Sequence, residues 1–308
     1  MMPNLSQTAM AAAIASAIVP GPCAQAQEDI LRSLPRVERQ YLERLDALRA
    51  GVIVPSFQGT ASVAQSRAAS FVASIGVAGV PQRQGHFCGG ILVDRQWVLT
   101  AAHCVSEGVR TDGSAPPSLT PDRIQLHIDN DLLSAAKPLA IERIVVHPEY
   151  RISQGVPDND LALLKLTAPT PHMVIPIASD ALEKIATRPG DRVGIAGWGT
   201  ASFDPGSPIS TRLLLGVVPV VDRSKCNETY GGAVTDRMFC AGVGAADSCQ
   251  GDSGGPAWVY DEQGRPNLVG IVSWGAGCTR KRYPGVYVNV TKYRDWINGV
   301  SGARTASQ

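Results

Sequence analysis

Gly251-Asp252-Ser253-Gly254-Gly255-Pro256 decides how this chain of 308 residues is read. A serine set among glycines can ride a tight turn with its hydroxyl exposed and backbone N–H groups converging beside it. The stretch also fits G-x-S-x-G, the nucleophile elbow of α/β-hydrolases. That elbow needs its acid and its histidine downstream, and the last histidine here is His172. A histidine base for Ser253 must therefore come from upstream.

Upstream lie histidines 86, 103, 127, 147 and 172. His103 stands in Leu99-Thr100-Ala101-Ala102-His103-Cys104, where an apolar run gives way to small residues and then a cysteine. Small neighbours leave an imidazole room, and a disulfide at Cys104 would hold its backbone. Asp160 stands in Asp158-Asn159-Asp160-Leu161-Ala162-Leu163-Leu164, directly before an apolar strand that would draw it inward. A buried carboxylate needs a partner, and an imidazole N–H is a good one.

The surroundings read as β-structure. Short β-branched or aromatic runs occur at Gln96–Leu99, Ile144–Val146, Leu161–Leu166, Leu268–Val272 and Val286–Val288, bounded by Gly, Pro, Asp or Asn. The 31 Gly and 22 Pro suit many strands joined by turns, and no βαβ alternation or fixed repeat is present. From Phe57 onward only Thr291–Val300 reads as a helix, with Tyr293, Trp296, Ile297 and Val300 on one face. Lys and Arg number 28 against 27 Asp and Glu, a net charge of +1, which gives no footprint for nucleic acid and no polybasic membrane anchor.

On Thr100–Cys104, Asp160–Leu164, Asp247–Pro256 and Ser273-Trp274-Gly275, in that order, the segment from about Phe57 to Val300 resembles a trypsin-like serine protease of the chymotrypsin family. The resemblance implies an all-β fold of two antiparallel six-stranded β-barrels, the active site between them and a C-terminal helix outside. It implies Ser253 as nucleophile, His103 as general base and acid, Asp160 as the carboxylate that fixes the imidazole, and the N–H groups of Gly251 and Ser253 as oxyanion hole. It places Asp247 at the floor of the pocket for the side chain before the scissile bond, favouring Arg or Lys there. Ser248 would assist a Lys ammonium. Gly275 and Gly285 would line open walls, Trp274 would flank the neighbouring subsite, and Ser273 would belong with them to the substrate-binding set. Three disulfides are implied: Cys88–Cys104, Cys226–Cys240 and Cys249–Cys278. The expected partners are protein or peptide substrates with Arg or Lys before the scissile bond, and protein inhibitors. The chain is expected to be a monomer. No cofactor is expected, and no metal, since Ile128–Lys137 offers only Asp129 and Asp131 as carboxylates.

The N-terminus has its own organisation. Ala9–Val19 is small and apolar and Ala24-Gln25-Ala26 follows, which reads as a signal peptide over 1–26 and a secreted protein, extracellular or periplasmic. Cleavage would discard Cys23 and leave six cysteines, the even number that an oxidised secreted domain needs. Residues 27–56 read as a pro-segment or linker with a helix over Arg36–Ala50, residues 57–300 as the protease domain and 301–308 as a frayed tail. Most members of the family are activated by a cut after Arg or Lys whose new ammonium orders the aspartate before the catalytic serine, here Asp252. In this chain Ser56-Phe57-Gln58-Gly59 occupies that place and no Arg or Lys precedes it nearer than Arg49. Ser74 and His86 match positions that hold this aspartate in some zymogens. The irregular segment keeps a second class of function open, a catalytically silent homologue that acts as a binding module. Against it, none of the three catalytic positions is lost. Arg280-Lys281-Arg282 reads as a solvated loop.

Overall fold

The computed structural model describes residues 69–107, 116–128, 133, 137–153, 155–200, 208–242, 248, 250–276 and 282–302. The helix expected over 36–50 and the segments 1–26 and 27–56 lie outside them. So do Asp247, Cys249 and Cys278.

Two antiparallel sheets of six strands make the fold. The first takes β1 (Val72–Val77), β2 (His86–Asp94), β3 (Trp97–Thr100), β4 (Ile124–Ile128), β5 (Ile141–Val146) and β8 (Ala162–Leu166), in the order β4-β1-β2-β3-β8-β5. Its edges curl toward each other until Leu139, two residues before β5, bridges Leu126 of β4. The second sheet is a closed barrel in the order β10-β11-β14-β13-β12-β9. Its strands are β9 (Arg192–Gly197), β10 (Leu214–Val221), β11 (Met238–Ala241), β12 (Pro256–Tyr260), β13 (Pro266–Trp274) and β14 (Gly285–Asn289). A small hairpin of β6 (Arg151–Ser153) and β7 (Val156–Asp158) precedes β8.

Local chemistry explains the elements. β8 reads Ala-Leu-Leu-Lys-Leu with all but Lys165 buried, the pattern of a strand covered on both faces. The turn from β2 to β3 is an Asx turn in which the Asp94 carboxylate accepts from the Gln96 N–H at 3.0 Å. The five strand readings coincide with β3, β5, β8, β13 and β14. The helix expected over 291–300 is a 3₁₀ turn, Val290–Tyr293, running into a helix Arg294–Ser301.

The expectation of a single helix after Phe57 is corrected. A short helical turn, α1 (Gln82–Gly85), and two seven-residue helices, α2 (Asp180–Ala186) and α3 (Arg223–Thr229), precede the C-terminal α4 (Arg294–Ser301). Seven residues give too few turns for an apolar period to show. These two helices are started by side-chain caps instead: Ser179 accepts from Leu182 N–H and Asp222 from Lys225 N–H.

One apolar cluster runs through both halves. Phe71, Ile91, Leu99 and Leu164 of the first meet Trp198, Trp258, Ile271 and Val288 of the second, and Phe71 stands edge-on to Trp258 at 5.7 Å. Gly194 makes room for the Trp258 ring, which would lie 2.6 Å from a Cβ at that position. The C-terminal segment returns to the first sheet. There Tyr293 and Trp296 pack on His147 at 5.3 and 4.8 Å. Among the described residues no helix is long and apolar enough to cross a membrane.

Candidate active site

The ladder between β3 and β8 brings the first two site residues together. Thr100 pairs with Ala162. Two steps further along that register, Asp160 comes opposite Ala102, next to His103. The chain then tightens into the 3₁₀ turn Ala102–Cys104. There the His103 backbone N–H donates to Asp160 Oδ1 at 2.9 Å, and His103 Nδ1 donates to Asp160 Oδ2 at 2.8 Å. The hydroxyl of Ser273, from β13 of the other barrel, donates to the same Oδ2 at 2.5 Å. Asp160 is fully buried while the His103 side chain is 29% exposed.

With Nδ1–H committed to the carboxylate, the neutral imidazole keeps its lone pair on Nε2. Burial opposes a charge on His103, but the Asp160 carboxylate, by charge and hydrogen bond, outweighs it and holds the imidazole above its ordinary value. Burial likewise opposes the Asp160 charge. The facing imidazole, the Ser273 hydroxyl and the His103 N–H prevail, and the carboxyl stays below its usual range. Such a pair can take a proton on Nε2 and keep the resulting imidazolium balanced.

Ser253 sits where the two barrels touch. Its carbonyl accepts from Gly89 N–H of β2 at 2.7 Å, and Gly254 N–H donates to Val272 O of β13 at 2.8 Å. Cys104 Sγ lies 3.7 Å from both the Ser253 backbone carbonyl oxygen and His103 Nε2, so the Ser253 main chain and the imidazole approach the same sulfur. Gly254 must be glycine, because its φ is +79° and a Cβ there would stand 2.2 Å from Thr100 Oγ1. Gly251, at φ +95°, is held from both sides: Thr200 N–H donates to Gln250 O at 2.9 Å, and His86 Nε2 donates to Gly251 O at 3.0 Å. A trans peptide with its oxygen on Thr200 turns the Gly251 N–H the opposite way.

The reading of Ser74 and His86 as holders of the aspartate is corrected. Ser74 Oγ and His86 Nδ1 are 2.7 Å apart, but the other ring nitrogen is spent on Gly251 O. Asp252 Oδ1 instead accepts from Gly199 N–H at 2.8 Å, and its carboxylate fills the space that Cβ atoms at Gly197 and Gly199 would take.

Of the residues expected to shape the substrate pocket, Ser248 accepts from the Tyr287 hydroxyl at 3.2 Å. Gly285 begins β14 and pairs with Ala241. Trp274 ends β13, half-buried, edge-on to Tyr230 at 4.8 Å, and Gly275 is exposed beside it. Ser273, expected among the substrate-binding residues, donates its hydroxyl to Asp160. Tyr230 is a residue that sequence reasoning missed. Its hydroxyl donates to Pro284 O at 2.7 Å and accepts from Ala276 N–H at 3.2 Å, tying the two walls together. No local pattern marks it, since both partners lie more than forty positions away.

Cys88–Cys104 and Cys226–Cys240 are bonded. Among the described residues one group of metal-ligand side chains clusters, Cys88, His103 and Cys104, and its two sulfurs are bonded to each other.

Comparison with known proteins gives the same picture. Residues 58–297 match the family model for trypsin. Trypsin Blo t 3 of Blomia tropicalis is 38% identical over 229 residues, covering 71% of this chain and 78% of its own length. A trypsin of Phaedon cochleariae is 37% identical over 227 residues, 70% of this chain and 79% of its own. Anionic trypsin of Canis lupus familiaris is 35% identical over 226 residues, 71% and 82%.

Proposed function

The chain belongs to the trypsin family and is a serine endopeptidase, and from that premise we propose that it is secreted and cuts after Arg or Lys through an acyl-enzyme on Ser253. Ser253 Oγ attacks the scissile carbonyl carbon as His103 Nε2 takes its proton, and Asp160 stabilises the imidazolium. The N–H groups of Gly251 and Ser253 receive the oxyanion of the tetrahedral intermediate. Loss of one such donor costs about 2.7–4 kcal/mol of transition-state stabilisation. Collapse expels the amine, which leaves with the proton from Nε2, and water then repeats the sequence on the acyl-enzyme. The observation that carries this reading is the buried Asp160, bonded to His103 of its own barrel and to Ser273 of the other, beside the turn that bears Ser253.

Asp247, six residues before Ser253, supplies the negative floor of the specificity pocket, with Ser248 beside it and Gly275 and Gly285 as open walls. Cys249 bonds Cys278 and braces that pocket. Residues 1–26 are a signal peptide, 27–56 a removable segment, 57–300 the protease domain and 301–308 a tail. Two variants and a covalent label test the catalytic and the specificity halves of this reading. Ser253→Ala should lose several orders of magnitude in kcat while folding, and a serine-directed phosphonylating reagent should label Ser253 alone. Asp247→Ser should lose about 30- to several-thousand-fold on Arg and Lys substrates and little on Leu or Phe ones, the loss expected when a desolvated charge pair is broken. Full activity of Ser253→Ala, or a wild-type preference for aromatic residues, sinks the corresponding half.

A further inference from the structure

A line of buried polar side chains runs from the far face of the first sheet to Gly251. Gln125 Nε2 donates to Val80 O at 2.5 Å and to Gln82 Oε1 at 3.0 Å. Gln82 Nε2 donates to Ser74 Oγ at 2.5 Å, Ser74 Oγ meets His86 Nδ1 at 2.7 Å, and His86 Nε2 reaches Gly251 O at 3.0 Å. Gln82, Ser74 and His86 are each more than nine-tenths buried.

The polarity of this line is fixed by its ends. A backbone carbonyl only accepts, so His86 Nε2 carries a proton. Burial holds the imidazole neutral down to about pH 4, so Nδ1 has none and must accept the Ser74 hydroxyl proton. That hydroxyl is then spent, and Ser74 Oγ can only accept from its other neighbour, so the NH₂ of Gln82 faces it. The oxygen of Gln82 is thereby left for Gln125, whose own NH₂ end is fixed by Val80 O. From Gln125 through Gln82, Ser74 and His86, each proton passed between neighbours points toward Gly251.

We infer that Gln82 is a positioning residue for the oxyanion site, setting through Ser74 the one His86 tautomer that can hold the Gly251 carbonyl. The inference rests on the assignment of Gly251 N–H as an oxyanion donor. A glycine at φ +95° can turn its following peptide at little cost unless the carbonyl is held. The fold makes room for this residue. β1 breaks register at Ile75/Gly76, and a Cβ on Gly76 would stand 2.6 Å from Gln82 Oε1.

Gln82→Glu tests it, because a carboxylate of the same shape can only accept. Ser74 then donates to the new carboxylate, and His86 must place a proton on Nδ1. At pH 9, where the ring is neutral, its Nε2 lone pair faces the Gly251 carbonyl. The full chain, labelled with ¹⁵N-histidine, should show His86 Nδ1 unprotonated in the wild type and protonated in the variant. At pH 9 the variant kcat on a small Arg ester should fall about 10- to 100-fold relative to wild type, less than outright removal of an oxyanion donor, with KM little changed. Gln82→Met, which neither donates nor accepts strongly, leaves Ser74 free to donate or accept, so the bias toward Nε2–H rests on the Gly251 carbonyl alone; a minor Nδ1-protonated fraction and a smaller loss of kcat are expected, and this variant serves if the first does not fold. An unchanged His86 tautomer in both variants, or wild-type kcat at pH 9 despite a changed one, overturns the inference. A wild-type chain that neither turns over the ester nor takes the phosphonyl label on Ser253 would instead sink the protease mechanism itself, and with it any catalytic use of the line.

Discussion

Asp160 takes three hydrogen bonds on two oxygens with no part of it in water, and two of the donors come from His103. Asp160→Asn would keep the shape but present an NH₂ group or a neutral oxygen to Nδ1. The kcat should fall by about four orders of magnitude, the cost of losing the tautomer-fixing carboxylate in enzymes of this kind. The pH profile gives the sign. His103 is held above its ordinary 6.5 by the Asp160 charge, so the acid limb of wild-type kcat/KM should lie above 6.5 and shift down in the variant, where burial acts unopposed. His86 behaves in the opposite sense. Folded, it stays neutral to about pH 4; unfolded, it charges near 6.5. Between those values the unfolded chain binds the extra proton, so stability should decline as pH falls through that window, by about 1.4 kcal/mol per unit. Denaturant unfolding of wild type against His86→Gln measures this, and parallel slopes would show that His86 does not titrate as described.

At the level of elements, sequence legibility tracks length and local pattern. The five β-branched or aromatic runs are readable because period and composition are contained within each. The register Thr100–Ala162 is not, since sixty-two positions separate the partners, yet that register is what brings Asp160 beside His103. His103 and Asp160 are found through their neighbours' chemistry, while the bond from Ser273 to Asp160 is not, because nothing local shows which way a strand-end hydroxyl faces. The helices α2 and α3 escape notice for want of turns, which makes their caps matter more. Ser179→Ala removes the acceptor for Leu182 N–H and should cost about 1 kcal/mol, read as a lower denaturant midpoint with unchanged slope. No loss at all would mean that tertiary contacts, such as Arg294 to Asp180 at 3.1 Å, hold the helix start alone.

For the molecule as a whole, the sequence leaves open what orients Asp252 without the usual cut. The Gly199 N–H on its carboxylate offers an answer internal to the fold. If bonds of this kind suffice, the full-length chain already turns over small Arg esters, with no alkaline loss traceable to an amine. An inert full chain that gains activity on trimming near Ser56 would assign the orientation to a new N-terminus instead. The division of labour between barrels is legible only as a resemblance, because Gly89 against Ser253 and Ser273 against Asp160 are contacts between distant halves. That division also sets a schedule. A ribosome delivers the proposed base and acid with the first barrel and the proposed nucleophile only with the second, so a copy cut short between the two barrels carries half of the site and no serine to attack with.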